Sequence, residues 1–401
     1  MFLTKKSNYN ISNILKIENI DFNDIKYKRN NLMVKIYNIF KTVEKKSNKI
    51  KLTGDKIYDD IYIKNVASKL NDSKFIDRTV LSYIEQYINI CNSYKFKIGN
   101  TLVNLNFLYL TTSEQTTNNY DKYINNSIKY ILHWLYICKL LCNINLKNLN
   151  IDIFFTPLMK KLPKFKGDII TSTNVNSGYS SYKLNESYKR DIVIYRHEEW
   201  FKVFLHETIH AFDLDFKNIN TDDTKLMLMN HFKIFNSDYE FNETYCEFWA
   251  CIMNNFYYSY YNSNGNLKKT LLTFEINCQI ERYFSLKQMK KILNHYNIDY
   301  NNLFDENYTN SIKYLYKENT NVLCYYVLKS ILMYNYDKII NWCNYKNLNL
   351  INFNENKTNT DEFGKLIIKY STDRTFLKDV SNMSIKSDNN KLEMSAIEIV
   401  F

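Results

Sequence analysis

The spacing of apolar and polar positions divides the chain into a mixed first half and an almost wholly helical second half. Up to residue 196, apolar residues alternate in some segments, as in strands, and recur every three or four positions in others, as in helices. From there to about residue 345 the spacing is helical. The pattern predicts helices over 30–42, 75–91 and 120–142, a β-hairpin over 94–110 with Gly99 and Asn100 at its turn, and strands over 149–156, 168–178, 191–196 and 365–370.

This order of elements favours an α+β fold, in which strands and helices are segregated along the chain. We expect three regions. The first is a mainly helical N-terminal region with the hairpin, at 1–115, which begins with a poorly patterned stretch over 1–24. The second is a central domain at 116–345, and the third is a C-terminal tail at 346–401.

Composition and charge narrow the class of protein. Of the 401 residues, 45% are hydrophobic and 24% are charged, which excludes a wholly disordered chain. A formal net charge of +11 can indicate a polyanion as partner, but the excess lysines are scattered, with their densest group between residues 41 and 56. The sequence therefore disfavours nucleic acid as a partner. The abundance of Tyr, Asn, Lys and Ile is typical of A/T-rich coding sequence.

The cysteines and the apolar segments indicate the cellular compartment in which the protein is expected. The 8 cysteines form no Cys-x-x-Cys pair and fall within apolar, helix-like stretches, which favours reduced thiols in a cytosol-like compartment. The most apolar window, 130–142, is too short to span a bilayer and contains His133 and Lys139. We therefore expect an intracellular, cytoplasmic protein with no membrane partner. The sequence indicates no particular oligomeric state.

One segment carries a recognisable chemical pattern, EEWFKVFLHETIHAFDLDF at 198–216. It contains His206, Glu207 and His210 in the order His-Glu-x-x-His. Residues four apart lie on one face of an α-helix, so both imidazoles can reach one metal ion. Glu207 stands beside them and can take a proton from an attacking water. The opposite face of this helix is apolar and carries Leu205, Ile209 and Phe212.

A catalytic zinc site of this kind needs a third protein ligand. The extension His-x-x-Gly-x-x-His is absent, because Asp213 and Phe216 stand at its Gly and last His positions. A carboxylate on the next long helix, predicted over 238–261, is the better candidate. Glu243 and Glu247 are four residues apart on that helix and share a face. The alternatives that remain open as third ligand are Glu240 and Asp215.

These two motifs resemble those of the zincin metallopeptidases of the gluzincin type, over about residues 150–262. In that group the third ligand comes from an Asn-Glu-x-x-x-Asp/Glu stretch, matched here by Asn242-Glu243-Thr244-Tyr245-Cys246-Glu247. The resemblance implies a two-lobed fold, with a small mixed sheet in the upper lobe and a helical lower lobe. It also implies zinc as cofactor. The implied roles are zinc ligands for His206, His210 and Glu243, general base for Glu207, and orientation of a ligand histidine for Glu247.

Glu247 departs from the pattern of the best-known gluzincins, which have Asp at this position. The segments at 174–178 and 196–216 are also similar to metallopeptidase-like proteins of nucleocytoplasmic large DNA viruses. That likeness implies a giant virus as source, and the host cytoplasm or the virion as location.

Other positions are candidates for a role in catalysis or in substrate binding. Gluzincins usually add a Tyr or His that stabilises the oxyanion, and Tyr325, Tyr326 and His231 are candidates. The extended segment 174–178 is a candidate edge strand for a bound peptide. His133, His197 and His295 have no partner at a useful spacing, and we expect them to be structural.

The sequence thus predicts a zinc-dependent peptidase that acts on a peptide or protein substrate. The alternative is a catalytically inactive zinc-binding structural or scaffold protein, for example of a virion. Glu207 argues against this alternative, because a purely structural zinc site has four protein ligands and needs no base.

Overall fold

The computed structural model describes residues 1–18, 30–68, 70, 73, 75–181, 188–383 and 390–401. The helices are α1 (Lys5–Glu18), α2 (Asn31–Ser47), α3 (Asp60–Ser68), α4 (Arg78–Tyr87), α5 (Glu114–Leu141), α6 (Ser172–Val175), α7 (Trp200–Ala211), α8 (Asp222–Phe232), α9 (Phe241–Asn262), α10 (Leu267–His295), α11 (Thr309–Leu315), α12 (Lys329–Tyr334), α13 (Tyr336–Lys346), α14 (Lys357–Ser371) and α15 (Arg374–Asn382). The strands are β1 (Phe2–Leu3), β2 (Thr53–Ile57), β3 (Ile90–Ile98), β4 (Thr101–Tyr109), β5 (Asn148–Phe154), β6 (Gly178–Ser181), β7 (Lys189–Ile194) and β8 (Ile399–Val400).

A mixed six-stranded sheet organises the first half of the chain, in the order β2-β3-β4-β5-β7-β6. Its central strands β4, β5 and β7 are parallel, and the remaining neighbours are antiparallel. The predicted hairpin is confirmed as β3 and β4, and Gly99 at its turn has a positive φ of 57°, which favours glycine. The α+β class predicted from the sequence is confirmed. The sheet takes strands from both sides of residue 115, and the division into three regions stays a prediction.

Helix α7 lies at the centre of the molecule. All twelve of its residues are buried, which fits a segment that is apolar on nearly every side. It packs against β6 and β7 of the sheet, against α5, and against α9. Because α9 is also buried along most of its length, polar side chains between α7 and α9 lie in a largely water-free layer.

Three predicted elements are wrong in type or extent. The helix predicted over 75–91 ends at Tyr87, and the chain then enters β3, where Cys91 lies in the sheet. The strand predicted over 168–178 is the short helix α6 followed by β6, because Thr171 and Asn174 form a capping box. The strand predicted over 365–370 lies within α14, whose buried side chains, including Phe363 and Ile367, follow a helical spacing.

The two ends of the chain meet in a two-stranded ribbon of β1 and β8. Just before β8, two buried carboxylates hold the extended chain. Glu199 accepts the backbone N–H groups of Met394 and Ser395, and Glu281 accepts those of Ala396 and Ile397. The segment 390–401 is thereby fixed against the N-terminal end of α7. Among the described helices, none is long and apolar enough to cross a membrane.

Candidate metal centre

Three side chains from α7 and α9 converge on one point. His206 and His210 lie one helical turn apart on α7, and Glu243 lies in the first turn of α9. The two Nε2 atoms are 3.1 Å apart. Oε2 of Glu243 lies 3.2 Å from Nε2 of His206 and 3.3 Å from Nε2 of His210. The structure therefore brings together the three residues that the sequence predicts as metal ligands.

A separate carboxylate contacts Nδ1 of each imidazole, on the far side of the ring from Nε2. Nδ1 of His206 lies 3.0 Å from Oε2 of Glu247, and Nδ1 of His210 lies 2.6 Å from Oδ2 of Asp215. A neutral imidazole carries one proton, and a carboxylate acceptor fixes that proton on Nδ1. Both Nε2 atoms then present lone pairs to each other and to Glu243.

This donor set fits a zinc ion. When both imidazoles are neutral, the three acceptor atoms repel one another, and a cation at their centre removes that repulsion. Two ligands of a tetrahedral zinc, each about 2.0 Å from the metal at about 109°, lie about 3.3 Å apart. The three observed separations of 3.1–3.3 Å match this value. The carboxylate behind each histidine is typical of zinc sites, where it fixes the tautomer and orientation of the ligand.

A buried lysine completes the support of His206. Lys202 precedes His206 by one turn of α7, and its ammonium group donates to Oε1 of Glu247. Both side chains are only 2% exposed. Because a buried charge without a partner is costly, Lys202 holds Glu247 ionised and in place to accept from His206. The expected role of Glu247 thus has a geometric basis, and Lys202 adds a contact that the sequence analysis missed.

The pKa values reflect the same contacts. Burial alone would raise the pKa of Glu243, but His210 and His206 hold it well below its usual range. Burial alone would lower the pKa of His206, but its hydrogen bonds to Glu243 and Glu247 raise it to about 9. The site therefore attracts positive charge strongly, whether that charge is carried by protons or by a metal ion.

Glu207 lies beside the ligands and differs from the other acids of the site. It accepts no hydrogen bond from the described residues, and burial raises its pKa, an effect that His206 and His210 only partly offset. The start of β6 passes close to it. A methyl group added to Gly178 would lie 3.4 Å from Cγ of Glu207 and 2.8 Å from the carbonyl oxygen of Val193, so the strand can approach the helix only with glycine here.

The two candidate tyrosines lie in a π-helical turn at Leu323–Leu328. The hydroxyl of Tyr325 donates to Oε2 of Glu243 at 3.3 Å, and its ring lies 6.2 Å from that of His206. Tyr326 is buried, and its hydroxyl contacts none of the three ligand atoms. The π-helical turn positions Tyr325 next to Glu243, and such turns are frequent at functional sites.

The alternative third ligands lie elsewhere or have other partners. Glu240 is 44% exposed at its side chain and pairs with Lys225. Asp215 contacts Nδ1 of His210 at 2.6 Å, whereas Nε2 of the same ring faces His206 and Glu243, so Asp215 holds this histidine in place and is not the third ligand. A separation of 2.6 Å is a hydrogen-bond distance and is also too short for two atoms bound to one zinc ion. The same distance argues against a second centre of His210, Asp215 and Cys246, although these three side chains cluster.

The other histidines have structural partners. His231 bonds to Ser371, away from the ligands, so it is not the oxyanion residue. His133 bonds to Tyr257 and to the carbonyl of Phe40. His295 bonds to the carbonyl of Asp168, and His197 packs among aromatic rings.

Comparisons with protein-family models, with curated proteins and with solved structures gave no match to this chain. We therefore infer the function from the geometry of the site and from the resemblance of its two motifs.

The contact between Asp215 and His210 leads to a first prediction. Asp215→Asn should weaken zinc binding about 10- to 100-fold, because the neutral amide orients and polarises the imidazole less well. The measurement is competition for zinc against a chromophoric chelator. Asp213→Asn is the matched control, since the Asp213 side chain pairs with Arg190 and Lys217 and contacts none of the three converging side chains. Equal zinc affinity in the two variants would contradict the assignment.

Proposed function

We propose that this protein is a zinc-dependent peptidase. The observation that carries the proposal is the triangle of acceptor atoms from His206, His210 and Glu243. Beside it lies the carboxylate of Glu207, which accepts no hydrogen bond from the described residues. Three protein ligands leave one position of a tetrahedral zinc open, as catalytic sites require. We further propose a zincin-like, two-lobed arrangement, with the sheet above α7 as the upper lobe and the helices from α8 onward as the lower lobe.

The residues of the site have separable roles in peptide hydrolysis. Zinc, when bound, would supply a Lewis acid that polarises the peptide carbonyl and lowers the pKa of water. Glu207 would accept a proton from the attacking water and deliver it to the leaving nitrogen. Its raised pKa suits a group that must both take and return a proton. Tyr325 would place its hydroxyl beside Glu243, where it can donate to the developing oxyanion.

The edge of the sheet offers a place for the substrate backbone. Strand β6 is the edge strand of the sheet. Just before it, the carbonyl oxygen of Ser177 accepts from the backbone N–H of Tyr195, which follows β7 directly. Because bonded and non-bonded pairs alternate in an antiparallel ladder, Gly178 and Ser180 direct their backbone groups away from β7. An extended peptide could pair with this edge by β-augmentation beside Glu207. The predicted edge segment 174–178 is thus replaced by Gly178–Ser181.

One observation favours the alternative of an inactive zinc-binding scaffold. The space beside His206 and Glu207 has a volume of only about 30 Å³ and is walled by α6, the π-helical turn and Met394. That is room for about one water molecule. Asn176, which lines this space, also bonds to Thr320. A peptide could reach the three converging side chains only if this space widened.

The experiment that separates the two functions measures cleavage directly. Zinc-loaded protein is incubated with a mixture of synthetic peptides, and mass spectrometry detects new termini. A peptidase should generate termini that disappear when a chelator removes zinc and return when zinc is restored. A scaffold should bind about one zinc per chain and generate none. Cleavage that persists without metal would contradict the proposed mechanism.

A further inference from the structure

A second cavity lies at the N-terminal end of α7, apart from the three ligand atoms. Its volume is about 500 Å³, within the range of small-molecule sites, which runs from roughly 300 to 1,000 Å³. It is bounded by the chain that follows β5, by the start of α7 and by the terminal ribbon of β1 and β8. Its walls are mainly apolar and include Leu158, Met159, Phe201, Ile397, Ile399 and Val400.

The charged groups of this cavity are unevenly balanced. Its walls carry Lys6, Glu198, Glu199, Lys202 and Glu398. Two of these five charges have partners outside the cavity walls: Glu199 pairs with Lys160, and Lys202 pairs with Glu247.

The remaining charges of the walls are those of Lys6, Glu198 and Glu398. The Lys6 ammonium lies 2.7 Å from Glu393 and 3.6 Å from Glu198. Glu398 accepts only from the backbone of Glu199, at 2.9 Å, and from the hydroxyl of Thr4, at 3.1 Å. In the described part of the chain no cationic side chain pairs with Glu398. The Lys6 ammonium thus pairs with Glu393 and Glu198 but not with Glu398, and the walls, with three carboxylates against two ammonium groups, have a surplus of negative charge.

Aromatic groups and unsatisfied polar groups also face this space. The Tyr123 hydroxyl accepts from the Trp200 indole at 2.7 Å, and both side chains line the cavity. His197 lines it as well, and its ring makes no hydrogen bond among the described residues. Burial lowers the pKa of His197 to about 4, so its ring is uncharged near neutral pH. Aromatic faces next to carboxylates are the surroundings in which proteins hold organic cations.

We propose that this cavity binds an organic ammonium group attached to an apolar body, with Glu398 as its principal charged contact. The apolar body would lie against the wall formed by Leu158, Met159 and the terminal ribbon. The ammonium could belong to a free alkylamine or to the N-terminus of a peptide with an apolar first residue. The surplus of negative charge excludes a fatty acid or another apolar anion as the preferred ligand.

Calorimetric titration of the full chain with matched probes tests this site. Hexylamine, which is protonated at pH 7, should bind, whereas hexanoate of the same length should not. A peptide amide that begins with leucine is compared with its N-acetylated form. Tighter binding of the free peptide than of hexylamine would identify a peptide N-terminus as the source of the ammonium. Tighter binding of hexylamine would identify a free amine.

Two variants connect binding to this cavity. Glu398→Gln should weaken hexylamine binding about tenfold, because it removes the charge of a charge-assisted contact while still accepting from the backbone of Glu199. Met159→Trp should block the cavity from its rim, where Met159 is 38% exposed. Glu362→Gln, which removes a carboxylate that pairs with Lys346, is the matched control and should leave binding unchanged.

Circular dichroism and zinc content serve to check that each variant is folded and that the neighbouring metal centre is intact. Equal binding of hexylamine and hexanoate, no binding of hexylamine at millimolar concentration, or unchanged binding in folded Glu398→Gln would each overturn the proposal. The proposal does not depend on peptidase activity, so its failure and the failure of the proposed function are distinguishable.

Discussion

Replacing His206 and His210 together by alanine should remove zinc from the purified protein. Zinc content should fall from about one ion per chain to nearly none, because Glu243 alone cannot hold the metal against water and buffer. Each imidazole would supply one of three ligands, and each is positioned by its own carboxylate. The measurement is atomic emission spectroscopy after dialysis against metal-free buffer.

The same double variant should lose the thermal stabilisation that zinc provides. A ligand present at a thousand times its dissociation constant stabilises the folded state by about 4 kcal/mol. We therefore expect a chelator to lower the melting temperature of the wild-type protein and to leave that of the double variant unchanged. His231→Ala is the matched control, since His231 bonds to Ser371 and should not affect zinc content. A wild-type protein that cannot be loaded with zinc would exclude both the metal site and the proposed peptidase.

The convergence of His206, His210 and Glu243 was predictable from the sequence because their placement is mostly local. The helical period puts His206 and His210 on one face, and the same period pairs Glu243 with Glu247 on the next long helix. Lys202 also precedes His206 by four residues, so the signal for its position was present in the sequence. Its role was not predictable, since only the fold brings Glu247 within reach of its ammonium group.

Asp215, an alternative third ligand in the sequence, instead contacts Nδ1 of His210. Helix α7 ends at Ala211, so no helical spacing relates Asp215 to His210. The chain turns back through Asp213, whose φ of 49° lies in the left-handed region, and this turn places Asp215 beside His210. A single left-handed residue without glycine gives no clear signal in a sequence, so the geometry of this turn could not be foreseen.

The position of the C-terminal segment next to Glu207 could not be predicted from the sequence pattern either. Met394 lines the space next to Glu207, and its neighbours are held by Glu199 and Glu281 through backbone bonds. Such contacts join residues more than a hundred positions apart and depend on buried carboxylates rather than on any apolar period. The helix α14 was misassigned for a different reason, since a short run rich in isoleucine fits a strand and a buried helix equally well.

Substitution of Glu207 by glutamine should separate metal binding from catalysis. Glutamine has nearly the same shape but cannot accept the proton of the attacking water. If the proposed function is right, kcat for peptide hydrolysis should fall by about 100- to 10,000-fold, the usual contribution of a general base. Zinc content should stay near one ion per chain, because Glu207 is not among the three converging ligands. Rates are measured with a peptide that the wild-type protein cleaves.

The control for this variant is Glu240→Gln, which changes an acid of α9's N-terminal end that pairs with Lys225 away from the ligands. It should retain wild-type kcat and zinc content. Undiminished hydrolysis by folded, zinc-loaded Glu207→Gln would mean that cleavage does not use this carboxylate. Loss of zinc together with activity would instead assign Glu207 to the metal site itself. Loss of turnover with retained zinc is the one outcome that agrees with Glu207 as general base. Glu207 is buried, and burial raises the pKa of its carboxyl group.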